Sequence, residues 1–162
     1  DLHGGQKMNR FYPEEFPEFD YEPTKDEFDI VPIEGNIGVG VIAKRRFKPG
    51  EIVFRFTGVV TNKITLFTLQ KKKGEYIHDP WFMGRILHRC EPNCSVDMNK
   101  LEFKAIEEIN EGDWITMDYD QTEDVLFRPF ECHCGKVKCS FSECRTVKGR
   151  LVAETIYQTN DF

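Results

Sequence analysis

The six cysteines are the first residues with chemistry to offer. Cys132, Cys134 and Cys139 follow the spacing C-x-C-x4-C, Cys90 and Cys94 stand upstream in HRCEPNC, and Cys144 comes after. An even number permits three disulfides. Cysteines one residue apart do not readily bridge each other, because alternate side chains of an extended chain point the same way without the close Cβ approach a disulfide needs. Three cysteines within eight residues, with Gly135 available for a tight turn, suit wrapping a tetrahedral ion instead. Zinc takes four thiolates at about 2.3 Å in a closed structural site. The fourth ligand must then come from elsewhere, and Cys90 or Cys94 is the supply. His133 is a rival ligand, but it lies between two candidates and is expected to point away. The start of the chain carries no basic-then-apolar signal, which favours metal over disulfides and an intracellular location, nuclear or cytoplasmic.

Short strands must position these residues. A chain of 162 residues suits one domain, or one domain with a tail, and is long enough to bury a core. Residues 31–33 and 39–43 are β-branched or small and lie between glycines. Residues 51–56 alternate with period 2 after the Pro49-Gly50 turn signal, as do 101–106 and, after the turn Asn110-Glu111-Gly112, 113–119. Residues 63–73 are expected to form a short helix ending at Gly74. The stretch 145–162 carries at most one or two helical turns. Strands about every ten residues predict an all-β or β-rich α+β domain. No strand-helix-strand rhythm is present, so a doubly wound nucleotide fold is excluded. No apolar run approaches 18 residues, so no membrane association is expected.

The charge is uneven. The net charge is −6, and residues 11–29 (FYPEEFPEFDYEPTKDEFD) hold eight acids against the single base Lys25, so the acidity is concentrated there and the remainder is close to neutral. Such a balance argues against direct nucleic-acid binding, which wants a basic stripe. Pro13, Pro17 and Pro23 break any helix or central strand. The expectation is an extended arm that packs its rings on the domain and leaves its acids wet. A sharper alternative has the arm complete a site for something cationic. Residues 1–7 read as a leader or cloning remnant.

Six segments in order resemble those of the SET domain family with its post-SET zinc segment, the fold of most protein-lysine methyltransferases. GVGVIA at 38–43 resembles the family's opening G-x-G, and KPGEIV at 48–53 the turn and strand after it. YIHD at 76–79 resembles its Tyr-x-x-Asp, and LHRCEPNC at 87–94 its signature Asn-His-Ser-Cys-x-Pro-Asn-Cys. GDWITMDY at 112–119 resembles Gly-Glu-Glu-Ile-Thr-x-Asp-Tyr, and residues 130–139 the post-SET C-x-C-x4-C. The resemblance implies a fold of the β-clip type, short sheets with a threaded C-terminal segment, and these boundaries: arm 1–29, SET domain 30–122, zinc segment 123–145, tail 146–162. It implies S-adenosylmethionine as cofactor and methyl transfer to a lysine amine of a protein, with a histone or other basic tail as partner.

On the same resemblance Tyr119 is the catalytic tyrosine. Gly38, Val39 and Gly40 bring backbone against the cofactor, Tyr76 meets its amino-acid end, Leu87 and His88 lie along it, and Phe130 and His133 flank the adenine. Cys90 joins Cys132, Cys134 and Cys139 on zinc, leaving Cys94 and Cys144 over. The chain departs from the pattern at several points. Leu87 stands where the signature has asparagine and Arg89 where it has serine, and Met117 stands two before the tyrosine where Phe or Tyr is usual. RFTGV at 55–59 replaces Glu-Tyr-x-Gly-Glu. The insert between Gly58 and Tyr76 is short, and no cysteine cluster precedes the domain. Two other readings therefore stand beside a protein methyltransferase: an enzyme of the same fold acting on a small-molecule amine, and a zinc-stabilised interaction module without catalysis.

Overall fold

The computed structural model describes residues 8–35 and 38–127, together with the backbone of 130–131 and 146–147. The fold is strand-rich, built from several small sheets around one core. Strands β1 (Phe28–Pro32) and β2 (Val39–Ala43) form an antiparallel pair, with Phe28 opposite Ala43. Strands β3 (Ile52–Arg55), β8 (Cys94–Asp97) and β9 (Glu102–Ala105) form a sheet with β9 in the centre. Strands β4 (Val59–Thr61), β5 (Thr68–Lys72) and β6 (Glu75–His78) form another with β6 in the centre. Strand β7 (Leu87–His88) pairs in parallel with β10 (Thr116–Met117). The backbones of β11 (Phe130–Glu131) and β12 (Thr146–Val147) pair antiparallel, bracketing the stretch of sequence that carries Cys132, Cys134 and Cys139. Among the described residues the helical elements are two 3-10 turns, Met83–Arg85 and Tyr119–Gln121.

The phenylalanine-rich composition is spent on the core. Phe28, Phe47, Phe54, Phe82 and Phe103 are fully buried. Phe54 stacks on Phe103 with ring centroids 4.4 Å apart and meets Phe82 edge-on at 4.8 Å. Pairs in these geometries add about 0.5–1.5 kcal/mol beyond their area. Because the rings come from β1, β3, β9 and the first 3-10 turn, they fix the small sheets relative to one another.

Two expectations are corrected. Residues 63–73 do not form a helix. Their second half is β5, whose Thr68, Leu69 and Gln70 are all buried, and Gly74 serves the β5–β6 hairpin at φ +79° rather than a helix end. The β-branched and aromatic run ITLFTL favours a strand once β6 offers a partner. The strand expected over 113–119 is split between partners. Ile115 donates to the carbonyl of Val41 (2.9 Å) beside β2, after which Thr116 and Met117 cross to β7.

The arm is a closed strap rather than an extended segment. Arg10 bridges to Thr24, and Lys25 N–H donates to the Asn9 carbonyl (2.8 Å). The Arg10 guanidinium grips Glu22 through Nε (2.5 Å) and Nη2 (3.0 Å), both side chains only 7% exposed. Inside the loop Phe11, Phe16 and Phe19 pack on the core, and Tyr12 is buried. The acids at 14, 15, 18 and 20 stay in solvent.

Candidate functional site

The chain segment ending at Tyr119 is held against the segment 86–93 by hydrogen bonds from both sides. Asn93 is the staple. Its backbone N–H donates to Thr116 Oγ1 (3.0 Å), its Oδ1 accepts from Thr116 N–H (3.0 Å) and hydroxyl (3.1 Å), and its Nδ2 donates to the Trp114 carbonyl (2.7 Å). Arg89 N–H continues the parallel pairing to the Met117 carbonyl (2.9 Å). Asp118 then accepts from Asp120 N–H (3.0 Å), which turns the chain and presents Tyr119 at the head of a 3-10 turn.

Tyr119 is fixed at both ends. Its amide donates to His88 Nδ1 (3.0 Å) and its hydroxyl donates to the Ile86 carbonyl (2.6 Å). The His88 and Tyr119 rings meet at 5.1 Å. An Nδ1 that accepts a hydrogen bond must leave the proton on Nε2, and that atom lies 3.4 Å from Cys90 Sγ. Burial, with the charge of Glu123, lifts the Tyr119 phenol well above its ordinary value. The hydroxyl is therefore a neutral donor, not a base.

The residues read from the sequence as cofactor-facing divide by surroundings. Gly38 has φ +132°, and a Cβ there would meet nothing within 4 Å among the described residues. Gly40 is buried, and a Cβ there would lie 2.7 Å from Leu87 Cδ1 and 2.8 Å from Trp114 Cζ3. Its missing side chain makes room for those two residues. Val39, paired with Pro32 in the β1–β2 register, is half-buried between the two glycines. The His88 side chain is 1% exposed although the residue as a whole is half-buried, so its accessible part is main chain. Leu87 is half-buried and Met117 fully buried. Tyr76, on β6, is half-buried, and desolvation with the charges of Glu123 and Asp124 raises its phenol.

Cys90 is buried, and the N–H of His88 pointing at its sulfur suits a thiolate. Cys94 is buried in β8, where burial pushes its thiol up to about 12. Phe130 is described in its backbone only; His133, Cys132, Cys134 and Cys139 lie outside the described residues. Among the described residues no group of three His, Cys, Asp or Glu side chains is placed to hold a metal.

Asp79, Glu123, Gln70 and Asp124 carried no role in the sequence reading. Asp79 is fully buried; it accepts from the N–H groups of Trp81 (2.9 Å), Phe82 (2.9 Å) and Met83 (3.1 Å) and from the Tyr12 hydroxyl (2.6 Å). It thereby sets the turn that leads to Ile86. An Asp directly before Pro80 was the available signal. Glu123 is buried and accepts from Gln70 N–H (2.7 Å), while Gln70 Nε2 donates to Asp124 (2.6 Å) and Asp124 N–H donates back to Gln70 Oε1 (2.7 Å). These bonds tie the β5–β6 hairpin to the segment after Tyr119, and nothing local in the sequence announces them.

The SET domain family model matches residues 38–120. Among solved structures, the crystal structure of KRYPTONITE in complex with mCHG DNA and SAH is similar, with a TM-score of 0.59 and 19% identity over 76% of this chain and 29% of that one. A second, of KRYPTONITE in complex with mCHH DNA, H3(1-15) peptide and SAH, gives a TM-score of 0.56 and 19% identity over 72% and 29%. The chain thus spans under a third of the length of these neighbours. A comparison with curated proteins finds no match. With the family model covering just over half of the sequence, and with β7 and β10 pairing in parallel before Tyr119, the chain belongs to the SET domain family.

Proposed function

We propose that the chain is an S-adenosylmethionine-dependent methyltransferase that acts on a lysine amine of a basic protein tail. The observation that carries this reading is the double tether of Tyr119, amide to His88 Nδ1 and hydroxyl to the Ile86 carbonyl. It places a neutral phenol beside a main-chain carbonyl at the point where the two threaded segments cross. Family membership and the SAH and H3(1-15) peptide named for the neighbouring structures support the same reaction class. The DNA named there is that protein's ligand, and the acidic balance of this chain directs the proposal to a peptide.

When bound, S-adenosylmethionine supplies an electrophilic methyl group. The chain would hold it on the main chain at Gly38 and His88, with Tyr76 at one end. Leu87, in place of an asparagine, offers it no polar contact, at a cost of about 0.5–1.5 kcal/mol for the hydrogen bond not made. An amine must be neutral to attack, and apolar walls such as Leu87 disfavour its charged form. The raised phenol of Tyr119 leaves that hydroxyl to orient and to exclude water rather than to take the proton. Zinc would be held by Cys90, Cys132, Cys134 and Cys139, with His88 donating to the first of them.

Calorimetry should detect binding of S-adenosylmethionine and of its demethylated product, and radiolabelled methyl should pass to histone-tail peptides. Absence of binding at millimolar cofactor sinks the proposal. Label confined to small amines moves it to a small-molecule enzyme of the same fold. Elemental analysis should find about one zinc per chain; quantitative disulfides without metal would overturn the ligand set.

A further inference from the structure

A cavity lies apart from the cofactor-side residues. It has a volume of about 330 Å³ and opens between the strap at Phe16 and Phe19, the end of β3 at Arg55 and Phe56, and the β8–β9 turn at Lys100 and Leu101, with Lys71 of β5 on its rim. None of the cofactor-side residues lines it. Pockets that hold small ligands begin at about 300 Å³ and combine apolar walls with a few placed polar groups.

The charges on its rim are three cations, Arg55, Lys71 and Lys100, against one carboxylate, Glu18. Arg55 stands where the resembled motif has glutamate, so the sign is reversed. Its side chain is held in place: Nε and Nη2 donate to the Lys100 carbonyl at 3.1 and 2.8 Å, and Nη1 has no hydrogen-bond partner among the described residues. Nor do Lys71 and Lys100 form an ion pair among the described residues.

The backbone around Arg55 is strained. Tyr21 (φ +61°) and Leu101 (φ +52°) are the non-glycine residues with positive φ among the described residues. The carbonyl of the first accepts from Arg55 N–H and that of the second from Phe56 N–H, each at 2.9 Å. Bulky side chains seldom adopt this conformation, and such strain gathers where a site must be held in shape. Here it sets the residues that present the guanidinium and the aromatic wall.

We propose that this cavity binds a small phosphomonoester carried on a flat apolar ring. A phosphomonoester bears about −1.5 to −2 charge at neutral pH, which suits a cavity lined by three cations and one carboxylate. Nη1 of Arg55 is left to meet the phosphate, and the half-buried Phe16 and Phe19 take the ring. The inference is independent of the methyl-transfer reading.

The test is titration of the full chain with phenyl phosphate, followed by NMR of the backbone amides of Phe56, Leu101 and Lys71. The expected result is saturable binding below about 1 mM that is about tenfold tighter than inorganic phosphate, weakened about tenfold by Arg55→Gln and unchanged by saturating S-adenosylmethionine. Lys71→Gln, at an exposed position with no partner to lose, should also weaken binding and guards against a folding defect in the Arg55 variant. Equal affinity for phenyl phosphate and inorganic phosphate, equal affinity of wild type and Lys71→Gln, or displacement by the cofactor would each overturn the proposal.

Discussion

Single residues at the site act through where they are tied. Desolvation and the charge of Glu123 raise the Tyr119 phenol well above its ordinary value, and Tyr12 shares that state because burial and the charge of Asp79 raise its phenol too. A group whose folded pKa lies above its unfolded one stabilises the fold fully below the unfolded pKa and loses that contribution as pH rises past it. The expected outcome is that stability falls above about pH 10, the unfolded tyrosine value. In a spectrophotometric titration two tyrosines should then ionise only together with loss of the fold. Ionisation of all five tyrosines near 10 in a folded chain would refute the tethers. Gly40 offers a second residue-scale prediction. A Cβ there meets only side-chain atoms of Leu87 and Trp114, so Gly40→Ala should cost about 1–3 kcal/mol by overpacking. Leu87→Ala should return part of that loss, read as a favourable coupling in a urea-denaturation double-mutant cycle. Additive losses would mean that the two residues do not compete for one space.

Elements show why part of the fold was legible in the sequence and part was not. β2, β3 and β9 were visible because each is short, alternates or is bounded by turn residues, and pairs with one or two antiparallel neighbours. The helix expected over 63–73 failed because six apolar or β-branched residues in eleven carry no clear period, and the deciding partner, β6, is itself identified only by pairing. The exchange of partners at Ile115–Thr116 left no mark in the alternation. Of the candidate site, Tyr119 and His88 were found through motif likeness, but the tether between them depends on a parallel crossing that spacing does not encode. Asn93 tests that crossing. It makes four hydrogen bonds to 114–116, so Asn93→Ala leaves buried groups on Thr116 unsatisfied and should destabilise the domain by about 2–4 kcal/mol. Amide exchange at Thr116 and Tyr119 should accelerate well beyond that in β9. Uniform acceleration across both would show that Asn93 contributes to global stability without holding the crossing in particular.

The whole molecule is closed by the strap, and this is where composition misleads. The net charge of −6 suggests an acidic surface, yet the segment responsible is fastened by buried contacts, and its exposed acids are incidental to what it holds. Arg10 and Glu22 close its base, and Tyr12 reaches inward to Asp79, whose other hydrogen bonds shape the turn before Ile86. Ile86 in turn accepts the Tyr119 hydroxyl. The strap is therefore linked to the candidate site through one carboxylate. Tyr12→Phe keeps the ring and its packing but removes the donor, so Asp79 loses a charge-assisted bond in a buried place. The expected cost is about 1.5–3 kcal/mol in chemical denaturation. A purely structural strap would lower stability and leave the reaction alone. If Asp79 transmits the strap's position to the turn, the same variant should also lower the rate constant of the proposed methyl transfer while cofactor affinity, proposed to be set at Gly38 and His88, stays within about twofold, a loss of under 0.5 kcal/mol. Stability and turnover should be measured on one preparation well below its unfolding midpoint. A loss of stability with turnover intact would confine the strap to holding the fold, and unchanged stability would remove the Tyr12–Asp79 bond from the account of both.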